Sequence, residues 1–131
     1  MQAIPFPWNK YFIILKHKAM RTLLRVVLYV EASNRAIMSG LLPEIIKDTT
    51  ERIKPEASYF VSTDGCRSCL MVFDLKDPSD IPSIAEAFFL NLNAKVDFSP
   101  VMNADDLNKG LEKWQKASKF IPEKFHEAHT N

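Results

Sequence analysis

The sequence predicts an α+β fold with its elements in the order β-α-β-β-α-β. Three observations predict it. Four short β-prone runs alternate with two apolar helical stretches between Met20 and Val101. The dipeptide Asp64-Gly65 separates the second and third β-prone runs, where a tight hairpin needs backbone at positive φ. The two helical stretches suffice to cover one face of a four-stranded sheet, which leaves the other face open.

The 131 residues fit one domain with a short appendage at each end. The composition places an extension over 1–19, an α+β core over 20–118 and a tail over 119–131. Hydrophobic residues make up 47% of the chain and charged residues 25%, so it reads as an ordinary globular protein. A net charge of +1 supplies no electrostatic footprint for nucleic acid or an anionic membrane. No apolar run approaches the ~18 residues of a membrane span. The charge is uneven: Lys10, Lys16, Lys18, Arg21 and Arg25 lie within residues 1–30, which hold no acid, so the remainder carries −4. Two cysteines cannot build a disulfide framework, which suits a reducing, cytoplasmic setting. The partners expected on these grounds include neither nucleic acid nor membrane.

Residues 1–19 place Pro5, Pro7 and Trp8 ahead of the β-prone run Tyr11–Leu15. Two readings stand side by side. Either Met20 is the natural start and the earlier residues are an upstream extension, or Tyr11–Leu15 is an extra edge strand or docking arm. Thr22–Val30 reads as the first strand. Leu24, Val26, Leu28 and Val30 share one face, expected under the helices, and Arg25, Val27 and Tyr29 share the other. Ser33 or Asn34 is expected to cap the next helix. Its stripe of Ile37, Leu41, Ile45, Ile46 and Ile53 is interrupted by Gly40 and Pro43. The interruption predicts a kink or two short helices, with Pro43 in the first turn of the second and Pro55 as the stop.

Ala57–Ser62 and Cys66–Leu75 read as the hairpin strands. Their loop is either two residues or three with a bulge, which leaves the register open by one residue. Asp77-Pro78-Ser79 opens the next helix, whose stripe is Ile81, Ile84, Ala85, Phe88, Phe89 and Leu92. Lys95–Val101 is the fourth strand, with Val96 and Phe98 on one face and Asp97 and Ser99 on the other. Asn103 caps a further helix that carries Leu107, Leu111 and Trp114 at helical spacing.

The order β-α-β-β-α-β resembles the ferredoxin-like fold. The segments Lys54–Phe60, Thr63–Arg67, Phe73–Phe89 and Pro100–Glu112 look like those of a family of small uncharacterised bacterial proteins. That family is similar to the dimeric α/β-barrel proteins, in which two such sheets face each other. The resemblance covers about residues 20–114. It departs at Ala87, where the family pattern would place a proline. It implies a strand order of 4-1-3-2, an extra C-terminal helix and a sheet-to-sheet homodimer, but no chemistry. The open face, read as Val27, Tyr29, Phe60, Met71 and Phe73, would then be the dimer interface, since an uncovered apolar patch marks a contact surface.

The polar candidates gather in the same region. With the first strand central, Tyr29 and Glu31 are expected near Arg67 and Asp97 on the open face, and Arg25 toward the opposite end. Arg67 could clamp an anion with its planar fork, or pair with Glu31 or Asp97 as a structural ion pair. Asp97 could act as a general base. The expected ligand-binding residues are Arg25, Tyr29, Arg67 and Phe73, and the catalytic candidates are Tyr29, Arg67 and Asp97. Cys66 and Cys69 form a C-x-x-C sequence, but residues three apart on a strand point to opposite faces, so the sulfurs should diverge. His17, His126 and His129 lie outside the core, and the three glycines form no phosphate loop. No metal or cofactor is implied. The reading is therefore a non-enzymatic interaction or small-ligand-binding module that uses the inter-sheet face. The alternative is a cofactor-independent enzyme acting on a small anionic or aromatic substrate within the dimer barrel.

Overall fold

A computed structural model describes residues 19–123. The expectations for Tyr11–Leu15 and for the tail after residue 123 fall outside the described residues. The chain divides into two compact units that part after Pro100.

The first unit runs β1 (Met20–Val27), α1 (Val30–Ser39), α2 (Leu41–Ile53), β2 (Ala57–Thr63), β3 (Cys66–Leu75), α3 (Asp80–Leu92) and β4 (Lys95–Pro100). Its sheet has the order β2-β3-β1-β4, with every neighbouring pair antiparallel. This is the expected order 4-1-3-2 read from the other edge. With α1 and α2 taken as one crossover, the unit is α+β and compatible with the ferredoxin-like arrangement.

Local chemistry explains the boundaries. Gly40 adopts φ 80 and closes α1, and α2 restarts at once with Pro43 in its first turn, where a missing N–H costs no helical bond. At the hairpin, Asp64 (φ 50) and Gly65 (φ 76) are both left-handed, which the two-residue type I′ turn requires. The loop therefore has two residues, and Thr63 pairs with Cys66. Ahead of α3, Asp77 Oδ1 accepts from the Ser79 N–H at 2.8 Å and from its hydroxyl at 2.6 Å, turning the chain into the helix. One boundary differs from expectation. β1 stops at Val27, and α1 starts at Val30 behind an extended Tyr29 that makes no side-chain cap. Ser33 and Asn34 therefore lie inside α1 and do not cap it. Glu31 supplies the acidic first turn that the positive helix end favours.

The core lies between the sheet and α1–α3. It joins Leu24, Val26 and Leu28 to Cys69, Met71 and Phe73 of β3, and to Ala36, Ile45, Ile84, Phe88 and Leu92 from the helices. Phe73 meets Phe98 edge-on, with ring centroids 6.4 Å apart. The register sets Leu24 opposite Met71 and Thr22 opposite Phe73, and directly opposed residues share a face. Met71 and Phe73 thus lie on the helix-covered face, at 0% and 2% exposure. This corrects their expected place on the open face. β3 is apolar at both parities from Cys69 to Phe73, so alternation alone carries no facing signal there. Phe88 is buried as expected, whereas Phe89 is 40% exposed on the outer side of α3.

The second unit contains α4 (Ala104–Ala117). Asn103 caps it through a reciprocal box. The Asp106 N–H donates to Asn103 Oδ1 at 2.8 Å, and the Asn103 N–H donates to Asp106 Oδ2 at 3.1 Å. No residue of this helix is buried. Among the described residues no helix is long and apolar enough to cross a membrane.

Candidate functional site

The two faces of the sheet carry different chemistry. On the open face, Leu23 and Val27 of β1 stand beside Leu70 and Val72 of β3, all half-buried. Tyr59 and Val61 of β2 extend the row and are exposed. Val27 is where the sequence placed it. Tyr29 is not, because the strand has ended and the residue sits at the start of α1.

Arg25 and Asp97 interrupt the aliphatic row as cross-strand partners of β1 and β4. They line a shallow recess with Leu23 and Ser99, and they make no ion pair with each other within 4 Å. This corrects the expected placement of Arg25 at the far end of the sheet. The strand ends two residues after Arg25, which brings it level with the middle of β4.

Arg67 occupies the helix side. It shares the parity of Cys69, Met71 and Phe73, and its Nη1 donates to Ser33 Oγ at 2.7 Å and to Asn34 Oδ1 at 2.8 Å. Arg67 and Asp97 therefore lie on opposite faces, and Tyr29, Arg67 and Asp97 do not converge. The partners of Arg67 are α1 hydroxyl and amide groups in place of Glu31 or Asp97. A signal for them was available: the end of β1 adjoins the start of β3, where the Leu28 N–H bonds the Arg67 carbonyl at 2.9 Å. The residues that follow β1 are thereby brought to Arg67.

A groove opens beside this arginine, between α2 and the β2–β3 hairpin. Leu28, Leu42, Ile46, Phe60, Arg67 and Cys69 line its volume of about 490 Å³. Phe60 faces the helix side with its partner Cys69, yet it remains 64% exposed because it stands on the edge strand. Phe60 is thus not on the open face, contrary to expectation. Burial pushes the Cys69 thiol up to about 11. Cys66 pairs with Thr63 at the opposite parity, so the two sulfurs diverge as the strand period requires.

A second cleft, of about 610 Å³, lies among Arg21, Arg52, Lys54, Glu56, Asp74 and Asp80. Its two arginines are already engaged: Arg21 with Glu56 at 2.6 Å and Arg52 with Asp48 at 3.0 Å. Among the described residues no group of three His, Cys, Asp or Glu side chains could hold a metal ion.

Comparison with family models, with curated proteins and with solved structures gave no match.

Proposed function

We propose that this chain is a non-enzymatic assembly and small-ligand-binding module whose open sheet face packs against a second copy of itself. One observation carries the reading: Leu23, Val27, Leu70 and Val72 form an aliphatic row on the face opposite α1–α3. The row is half-buried and is continued by the exposed Tyr59 and Val61, and an apolar surface of this kind is stabilised by a self-complementary contact about a two-fold axis. The central strands present aliphatic residues there, not the aromatics on which nucleic-acid bases stack. The recess at Arg25 and Asp97 sets polar atoms into the same surface, and the space between two such sheets offers a small polar molecule both charges. The free thiols at Cys66 and Cys69 fit a reducing cytoplasm.

Sedimentation equilibrium tests the assembly. The native chain is expected at the mass of two copies in the micromolar range. Leu70→Glu together with Val72→Glu would bury unpaired charges in the contact, and is expected to give one copy with an unchanged far-UV spectrum. A native protein that sediments as one copy overturns the reading.

A further inference from the structure

We propose that the groove between α2 and the β2–β3 hairpin binds a small amphipathic monocarboxylate. Its head sits on Arg67, and its apolar tail lies against Leu42, Ile46 and Phe60. The proposal goes beyond the inter-sheet reading and does not depend on it, because the groove lies on the other side of the sheet.

The arginine is prepared for an anion. A guanidinium has five N–H donors and stays charged at any working pH. Only Nη1 is used here, and its two acceptors, Ser33 Oγ and Asn34 Oδ1, are neutral. Among the described residues no carboxylate lies within ion-pair distance of Arg67, and its Nε and Nη2 donors take no partner. Tethered at one corner, the planar fork keeps the edge that grips the two oxygens of a carboxylate. The tether also removes part of the side-chain entropy that binding would otherwise cost.

The groove sets the rest of the ligand. Its volume falls within the range of small-molecule sites. Leu28, Leu42, Ile46, Phe60 and Cys69 give it apolar walls, and Arg67 is the single ionised side chain among its described lining residues. One cation matches one negative charge. A second negative charge would find no further cation among the described lining residues, and a neutral tail alone would leave the exposed Arg67 edge to water. Phe60 is largely exposed on the edge strand, so a bound tail would remove apolar surface that the fold itself leaves in water.

Titrating isotope-labelled protein with sodium octanoate and with methyl octanoate, read by NMR shifts, tests the proposal. Octanoate is expected to saturate, with shifts at Leu42, Ile46, Phe60 and Arg67. The ester should bind roughly ten- to hundredfold more weakly, the size of a lost charge-assisted hydrogen bond. Arg67→Gln should lower octanoate affinity to that of the ester, and Phe60→Ala, at an exposed edge position, should weaken both ligands together. Equal affinities for acid and ester overturn the proposal. So does the absence of saturable shifts, or a shift pattern confined to Leu23, Val27, Leu70 and Val72. If octanoate binds the groove of a protein that sediments as one copy, the inter-sheet reading fails and this one stands.

Discussion

Adjacent residues of β3 should fail in different ways when truncated. Met71 is fully buried on the helix side, opposite Leu24 and Ser58. Leu70 is half-buried on the open face, opposite Arg25 and Tyr59. Met71→Ala leaves a cavity within the core and is expected to cost about 2–5 kcal/mol. For a unit of this size, 1 kcal/mol moves Tm by about 4–8 °C. A mid-range loss of about 3 kcal/mol therefore lowers Tm by about 12–24 °C, a large share of a total stability of about 5–15 kcal/mol. Leu70→Ala removes a side chain from the face proposed to meet a second copy. Its effect should appear in association: the unfolding midpoint loses part of its dependence on protein concentration, because binding to the native state is linked to stability. Urea unfolding followed by circular dichroism across a concentration series separates the two. If Leu70→Ala is as damaging as Met71→Ala at every concentration, the face assignment of β3 is wrong.

Two further outcomes test the interior. Thr49 is fully buried, and its Oγ1 has no hydrogen-bond partner among the described residues; Thr49→Val keeps the shape, removes the orphan hydroxyl, and should raise the unfolding free energy by up to about 1 kcal/mol, read as a higher urea midpoint. A loss of that size would reveal a partner for the hydroxyl. Burial raises the Cys69 thiol from 9.0 to about 11, so the folded state holds its proton while the unfolded state releases it. The stability contributed by Cys69 is therefore complete below pH 9.0 and is lost as pH rises from there toward about 11. Native protein should lose stability over that window faster than Cys69→Val, as measured by urea unfolding at about pH 8 and about pH 10.5, and equal slopes would contradict the assigned burial.

Elements with one clear signal were legible in the residues. Asp64-Gly65 announced a hairpin, Gly40 with Pro43 announced a broken helix, and Asn103 with Asp106 announced a capped one, because each rests on a local backbone requirement. β1 could be faced correctly because Arg25 breaks one parity while Leu24, Val26 and Leu28 keep the other apolar. β3 could not, since Cys69, Leu70, Met71, Val72 and Phe73 are apolar in succession and a one-residue slip turns every side chain over. That single ambiguity displaced Met71, Phe73 and Arg67 together, as all three share a parity. It also made Arg67 look like a neighbour of Asp97, when Ser33 and Asn34 hold it on the helix side. The end of β1 was the other obscure point. Leu28, Tyr29 and Val30 are all good strand residues, and only the ladder and the onset of α1 show where the strand stops. Its early end places Arg25 level with Asp97.

The aliphatic row on the side of the sheet opposite α1–α3 is proposed to meet its own copy. Isotope-filtered NMR on a mixture of labelled and unlabelled chains tests it most directly. Contacts between chains are expected among the methyl groups of Leu23, Val27, Leu70 and Val72. The absence of such contacts, or their appearance only at residues of α1–α3, would contradict the claim.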